Sequence, residues 1–297
     1  MPRLVECVPN VSEGRRIDVI DRLARLIADT PGVRLLDRTS DVDHNRSVFT
    51  FAGDADAVIA AAHALVAATY GELDMRSHRG EHPRLGAVDV VPFVPLAGVT
   101  MEECVAIAHR FGREVAERHD VPVYFYARAA RRPERVRLPD IRKPQYEGLA
   151  ELITTTHVPD AGPSRVHERA GAIVVGARPP LIAFNIELDT ADTKIAKRIA
   201  KEIRESSGGL AAVQALGFEL TDPPRAQVSM NLLDTSVTSL AKVWQEVERR
   251  ANDAGVRVLR GELIGLIPLD AALQVTAAAL KLDAFDRSRV IEAHFLE

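Results

Sequence analysis

With only Cys7 and Cys104 among its 297 residues, the chain cannot carry a disulfide framework, and the two do not form a C-x-x-C pair. Both sit inside apolar patterns, so free, reduced thiols in a cytosolic protein are expected, a single disulfide being the alternative. Long apolar runs are missing as well; none approaches the ~20 residues that a membrane helix requires. The opening, Met1-Pro2-Arg3-Leu4-Val5-Glu6, enters a strand-like pattern without the basic, apolar and small-residue blocks of an export leader. Nor does one sign of charge prevail. Lys and Arg total 38 against 42 Asp and Glu, a formal −4, which excludes wholesale binding to nucleic acid or an acidic membrane. Any anion site must be a local concentration of positive charge.

What the chain has is an ordinary core-forming composition, 46% hydrophobic and 27% charged, long enough for one large domain or two modest ones. Ile17, Ile20, Leu23 and Ile27 recur at helical spacing over 16–29, and Pro31-Gly32 stops them. Strand patterns follow at 33–38 and 46–52, an Ala-rich helix at 57–70 and a strand at 88–94. With the opening strand at 3–8 this half reads βαββαβ. Thr100 and Glu103 spell a capping box for a helix over 100–118, and 121–126 adds a strand. The Arg- and Pro-rich stretch 127–145 reads as linker, before a short helix near 146–153. A strand at 171–177 then precedes a second set: strand 181–188, helix 194–203, strands 213–220 and 227–233, helix 237–254 and strand 256–267. The predicted architecture is α+β: two ferredoxin-like βαββαβ subdomains with extra elements, over 1–178 and 179–297. Their sheets are expected to face one another around a cleft, a common ligand position.

Three polar clusters interrupt this scaffold. Pro9-Asn10-Val11-Ser12-Glu13-Gly14 reads either as a backbone anion loop or as a helix cap supplied by Ser12 or Asn10. In Asp41-Val42-Asp43-His44-Asn45-Arg46, Arg46 offers a planar fork to a carboxylate. Asn45 and Arg46 are the functional candidates there, while Asp41 and His44 suit a turn. The densest run is Asp74-Met75-Arg76-Ser77-His78-Arg79-Gly80-Glu81-His82-Pro83-Arg84-Leu85-Gly86-Ala87. Residues 78–82 spell H-x-x-E-H, which would bind zinc only on a helix. Gly80 within it and Pro83 after it make it a loop, so no metal is expected. His82 is the candidate acid–base group, with Arg79 and Arg84 favouring its neutral form and Glu81 opposing them.

These residues resemble the glutamate formiminotransferase family, including the transferase part of the bifunctional formiminotransferase–cyclodeaminases. The resemblance rests on Val5-Glu6-Cys7-Val8-Pro9-Asn10, Asn45-Arg46-Ser47-Val48-Phe49-Thr50-Phe51 and Gly80-Glu81-His82-Pro83-Arg84-Leu85-Gly86-Ala87. It continues through Val121-Pro122-Val123-Tyr124, Val175-Gly176-Ala177-Arg178, Leu181-Ile182-Ala183-Phe184-Asn185, Ala226-Gln227-Val228-Ser229-Met230-Asn231-Leu232 and Leu263-Ile264-Gly265-Leu266-Ile267-Pro268. It implies formimino transfer from N-formimino-L-glutamate to tetrahydrofolate as co-substrate, in histidine degradation, with His82 catalytic. By the same resemblance, folate lies in a tunnel between the subdomains and contacts 162–171, from Gly162-Pro163-Ser164 to Gly171. Because both substrates carry carboxylates, Arg46, Arg84 and Arg178 are candidate clamps, and Asn10, Asn45 and Asn185 complete the candidate substrate and folate contacts. The chain departs from the family at Val11, Glu168-Arg169 and Pro179-Pro180. Those departures keep open formyl transfer from N-formylglutamate or processing of 5-formyltetrahydrofolate; a non-catalytic folate binder and, from the H-x-x-E-H run, a zinc hydrolase are the other rivals. A homodimer is the default oligomer.

Overall fold

A computed structural model describes residues 3–221 and 223–295; Met1 and Pro2, where the leader question starts, lie outside them. The chain divides into two compact units, Met1–Arg178 and Pro179–Glu297.

The first unit runs β1 (Leu4–Cys7), β2 (Asn10–Val11), α1 (Ile17–Ala28), β3 (Val33–Asp41), β4 (Arg46–Asp54), α2 (Ala55–Glu72), β5 (Val88–Ala97), α3 (Met101–His119), β6 (Val123–Ala127), α4 (Leu138–Arg142), α5 (Gln145–Leu152) and β7 (Ile173–Ala177). β1 and β2 both pair antiparallel with β4 on one side and β5 on the other. They are one line of chain broken at Pro9, which has no N–H to give a ladder. β3 adds to β4, and β7 joins β5 to β6 through parallel pairings, completing seven strands. Period-two alternation sends Val5, Cys7, Phe49, Phe51 and Phe93 to one face, under Ile20, Leu23, Leu65 and Phe111 of α1 to α3. On the other face Ile141 of α4 and Leu149 of α5 pack with Val90, Tyr124, Tyr126 and Val174. The Thr100–Glu103 capping box is present at the start of α3.

The strand at 173–177 belongs to the first sheet, inside the subdomain expected over 1–178; all five of its residues are buried, as a parallel strand covered on both faces requires. One expectation is corrected here. The stretch 127–145 is not a linker. It holds a 3₁₀ turn at Pro133–Arg135 and helix α4, because its arginines have buried partners. Arg135 pairs with Asp160 at 2.6 Å, with both side chains at most 5% exposed, and Arg142 pairs with Asp89. An arginine-rich stretch behaves as solvated linker only when its charges lack such partners.

The second unit runs β8 (Ile182–Leu188), α6 (Thr193–Ile203), β9 (Val213–Thr221), β10 (Pro224–Leu232), α7 (Leu240–Asp253), β11 (Val258–Ile264) and α8 (Leu269–Leu280). Its four strands are antiparallel in the order β11-β8-β10-β9. Ile186, Val228 and Met230 pack with Ile199, Ile203, Val243 and Val247 from α6 and α7. Helix α8 was not anticipated. The protein is thus α+β, with a seven-stranded and a four-stranded sheet in separate units. Among the described residues no helix is long and apolar enough to cross a membrane, and both cysteines are free and buried.

Candidate active site

The turn after β3 and the loop before β5 are laced together in the first unit. Asn45, in left-handed backbone at φ 48°, spends its side chain on this lacing. Its Oδ1 accepts from the Gly14 amide and its Nδ2 donates to the Arg79 carbonyl, each at 2.9 Å. His78 Nε2 donates to the Asn45 carbonyl at 3.1 Å, and Nδ1 accepts from Arg84 Nε at 3.2 Å. With both nitrogens engaged, His78 is held neutral in one tautomer; burial also pushes its pKa down, against the Asn45 hydrogen bond. A Cβ on Gly80 would meet the His44 carbonyl oxygen at 2.4 Å, so only glycine lets the two segments come this close. The other end of the loop is pinned by Gly171. Its own added Cβ would meet the Leu85 oxygen at 2.2 Å, and its φ is +73°.

This lacing creates a narrow, closely packed pocket lined by Ser12, His44, Asn45, Arg46, His78, His82, Arg84 and Asp89. His82 is half-buried in it, its ring 6.1 Å from that of His44 and nearly edge-on. Burial first, then the charges of Arg46, Arg142 and His44, bring its pKa down from 6.5 to about 3. It is therefore a neutral base across the physiological range. The cations responsible are Arg46 and Arg142, not Arg79 and Arg84 as expected from sequence proximity.

Arg46 donates to Asn10 Oδ1, and its buried Nε–H has no partner. Burial and the nearby Arg142 bring its own pKa down to about 10, still charged at neutrality. A buried guanidinium bonded to an amide rather than to a carboxylate is a ready receptor for an anion. Arg84 differs. Its guanidinium is already clasped by Glu147, at 2.6 and 2.8 Å, with Gln145 at 3.2 Å, so it ties the loop to α5. Asp89 accepts from the Leu85 amide at 2.8 Å and from Arg142, holding the end of α4 to the start of β5.

The first cluster resolves into scaffold. Ser12 Oγ donates to the Gly86 carbonyl at 2.8 Å, and α1 starts at Ile17 without a side-chain cap. The amides ahead of α1 do meet an anion, but it is the protein's own: Glu13 accepts from the Arg15 and Arg16 amides at 2.9 Å. Burial raises the Glu13 pKa, and these bonds with the Arg16 guanidinium outweigh it.

Residues 4–178 match the model of the formiminotransferase domain, N-terminal subdomain, and residues 183–291 match the formiminotransferase domain. The chain belongs to the formiminotransferase family. It is 43% identical to a glutamate formimidoyltransferase of Streptococcus pyogenes serotype M1 over 298 residues, covering all of both chains. It is 44% identical to a glutamate formimidoyltransferase of Thermoplasma acidophilum, over 97% of this chain and 96% of the relative. A formimidoyltransferase-cyclodeaminase of Sus scrofa is 46% identical over 93% of this chain, which corresponds to 52% of that longer protein.

Of the candidate site residues, Asn45, Arg46, His82 and Arg84 line one pocket, and Asn10 reaches it through Arg46. Gly162, Pro163 and Ser164 do not line it. Gly162 packs its backbone against Val121 and Ala116 at φ +82°, beyond the end of α3. Arg178 follows β7, its amide donating to the Phe93 carbonyl at 3.1 Å. Asn185 belongs to β8 of the second unit and donates to Glu262 at 2.9 Å. His44, read as a turn residue, lines the pocket, whereas Asp41 does serve the turn by accepting from the His44 amide at 2.7 Å. Asp89 and Arg142 were missed. An acid inside the apolar run Val88-Asp89-Val90-Val91 was the available signal for the first; the second had none. The H-x-x-E-H run lies in a loop, and among the described residues no three His, Cys, Asp or Glu side chains gather as a metal site would need.

Proposed function

We propose that this formiminotransferase moves the formimino group of N-formimino-L-glutamate to N5 of tetrahydrofolate and releases L-glutamate. Full-length relatives named glutamate formimidoyltransferases support the activity. The observation that carries it is a neutral imidazole, His82, beside the Arg46 guanidinium, which among the described residues is hydrogen-bonded to the Asn10 amide and to no carboxylate.

One carbon–nitrogen bond forms at the folate nitrogen and one breaks at the glutamate nitrogen, so a proton must leave the first and reach the second. His82, uncharged at rest, accepts the former and delivers the latter, ending as it began. Arg46 holds a substrate carboxylate and orients the donor toward that imidazole. The crevice around His82 is too narrow for a folate, the bulk of which then lies outside it. The 162–171 stretch is the proposed folate contact, on the family resemblance. No step in this scheme calls for a metal. The ferredoxin-like reading of both units belongs to the same proposal. It is supported by the βαββαβ order of β8 to β11 with β8 and β10 central, and by the first unit's order β3-β4-β1/β2-β5. A homodimer and a cytoplasmic setting complete it, the latter consistent with two free thiols.

The test is a donor panel, formiminoglutamate beside formylglutamate, each with tetrahydrofolate, followed by release of glutamate. Formiminoglutamate is expected to be consumed, and His82→Ala to lower its turnover about 10²–10⁴-fold. Preferential use of the formyl donor, or near-normal turnover by His82→Ala, would overturn the reading.

A further inference from the structure

We propose that Arg142 joins Arg46 as a second clamp on the donor, the two guanidiniums sharing the α-carboxylate of formiminoglutamate. The inference rests on the activity proposed above and assigns a specificity role to a residue outside every motif of the chain.

Arg142 is the last residue of α4, and its side chain is only 12% exposed. It donates through Nη2 to Asp89, which lines the His82 pocket. Its Nε–H is buried without a partner, and so is that of Arg46. Two orphaned guanidinium donors in one region are unusual, since buried polar groups nearly always find partners. The residues are mutually close: the charge of Arg142 acts on both Arg46 and His82. Two guanidiniums, Arg46 and Arg84, line the pocket, and a third, Arg142, stands behind Asp89. Among the described residues Glu147 is hydrogen-bonded to Arg84 and Asp89 to Arg142, while Arg46 feels the charges of Asp89 and Asp41 without an ion pair to either. Arg46 lacks a carboxylate hydrogen-bonded to it, and among the described residues the two Nε–H donors have no acceptor. A single carboxylate supplies both, because its two oxygens accept from separate donors.

The chemistry identifies which carboxylate. In the donor, the α-carboxylate sits two bonds from the nitrogen that loses the formimino group. It must therefore lie beside His82 whenever that nitrogen does. The carboxylates of a folate are separated from N5 by an aromatic ring and an amide, and they cannot reach the same spot while N5 reacts.

The experiment compares wild type, Arg142→Gln and Arg142→Lys on formiminoglutamate and on its α-carboxamide analogue, with KM measured separately for donor and folate. Arg142→Gln is expected to raise the donor KM about 10- to 100-fold, the worth of a charge-assisted hydrogen bond, and to leave the folate KM unchanged. The preference of wild type for acid over amide should shrink by the same factor in Arg142→Gln and recover partly in Arg142→Lys. An unchanged acid-over-amide preference, or a rise confined to the folate KM, overturns the proposal. Calorimetric titration of L-glutamate against its α-amide gives the same comparison without turnover; equal discrimination by wild type and variants again overturns it. Wild type that binds glutamate but turns over no formimino donor sinks the proposed activity and leaves the clamp to be judged by the titration.

Discussion

His82 shows how a residue's surroundings rewrite its chemistry. An imidazole in water titrates near 6.5, half-protonated where most enzymes work. Buried beside Arg46 and Arg142 it falls to about 3 and stays a free base. The acid limb of kcat/KM, which reports the free enzyme, is therefore expected well below the usual histidine range. A bound carboxylate offsets the two arginine charges, so the limb of kcat should lie at higher pH than that of kcat/KM. Arg46→Gln deletes one of the depressing charges and should move the kcat/KM limb upward. Initial-rate profiles between pH 4 and pH 9, in wild type and variant, measure both shifts; a histidine limb near 6.5 in the wild-type kcat/KM profile would contradict this account.

At the scale of elements, the loop that carries His82 owes its course to glycine rather than to regular structure. Gly80 faces the His44 carbonyl so closely that an alanine Cβ would sit 2.4 Å from it. Gly80→Ala should cost about 1–3 kcal/mol of stability as the loop backs away. It should also lower turnover about 10- to 100-fold, since small misplacements of a positioned group weigh heavily on rate. Gly71, in α2 with nothing within 4 Å of an added Cβ, is the matched control. Gly71→Ala should stabilise by up to about 1 kcal/mol and leave turnover alone. Urea melts and steady-state rates on both variants separate the effects. The same contrast explains what could be read in advance. α1, α2, α3, α6 and α7 were legible from helical periodicity and capping, and most strands from alternation, because those signals are local. The pocket residues that lie in short motifs, His82 and Arg46, were legible too. Arg142 was not, because its meaning depends on Asp89, 53 residues away in the chain. For Asn45 the motif did not show that its side chain would bind Gly14 and Arg79, partners that only the fold brings to it.

For the whole molecule, histidines set the response to acid. His63, His78, His82, His119 and His157 are all lowered from 6.5, in each case chiefly by burial. Above that value folded and unfolded chains carry the same protons on these rings, and stability is unaffected. Below it the unfolded chain takes up protons that the folded chain refuses, so stability falls as pH drops; for His82 this continues down to about 3. Carboxylates act in a lower window and in the same direction. Asp74 and Glu246, each lowered to about 2 by arginine and lysine partners, lose their contribution only as pH falls from their ordinary 3.8 and 4.5. Both groups are partly exposed, and solvent screening keeps their share modest. The urea midpoint should accordingly be level above about pH 6.5, decline through pH 5, and decline further below pH 4. His82→Asn removes one of the refused protons while keeping a polar group of similar reach. Its midpoint should fall less steeply than that of wild type between pH 6.5 and pH 4 and run parallel to it above pH 7. Parallel curves across the whole range would mean that His82 takes up protons in the folded protein as freely as in the unfolded one, and that the two arginines do not govern it.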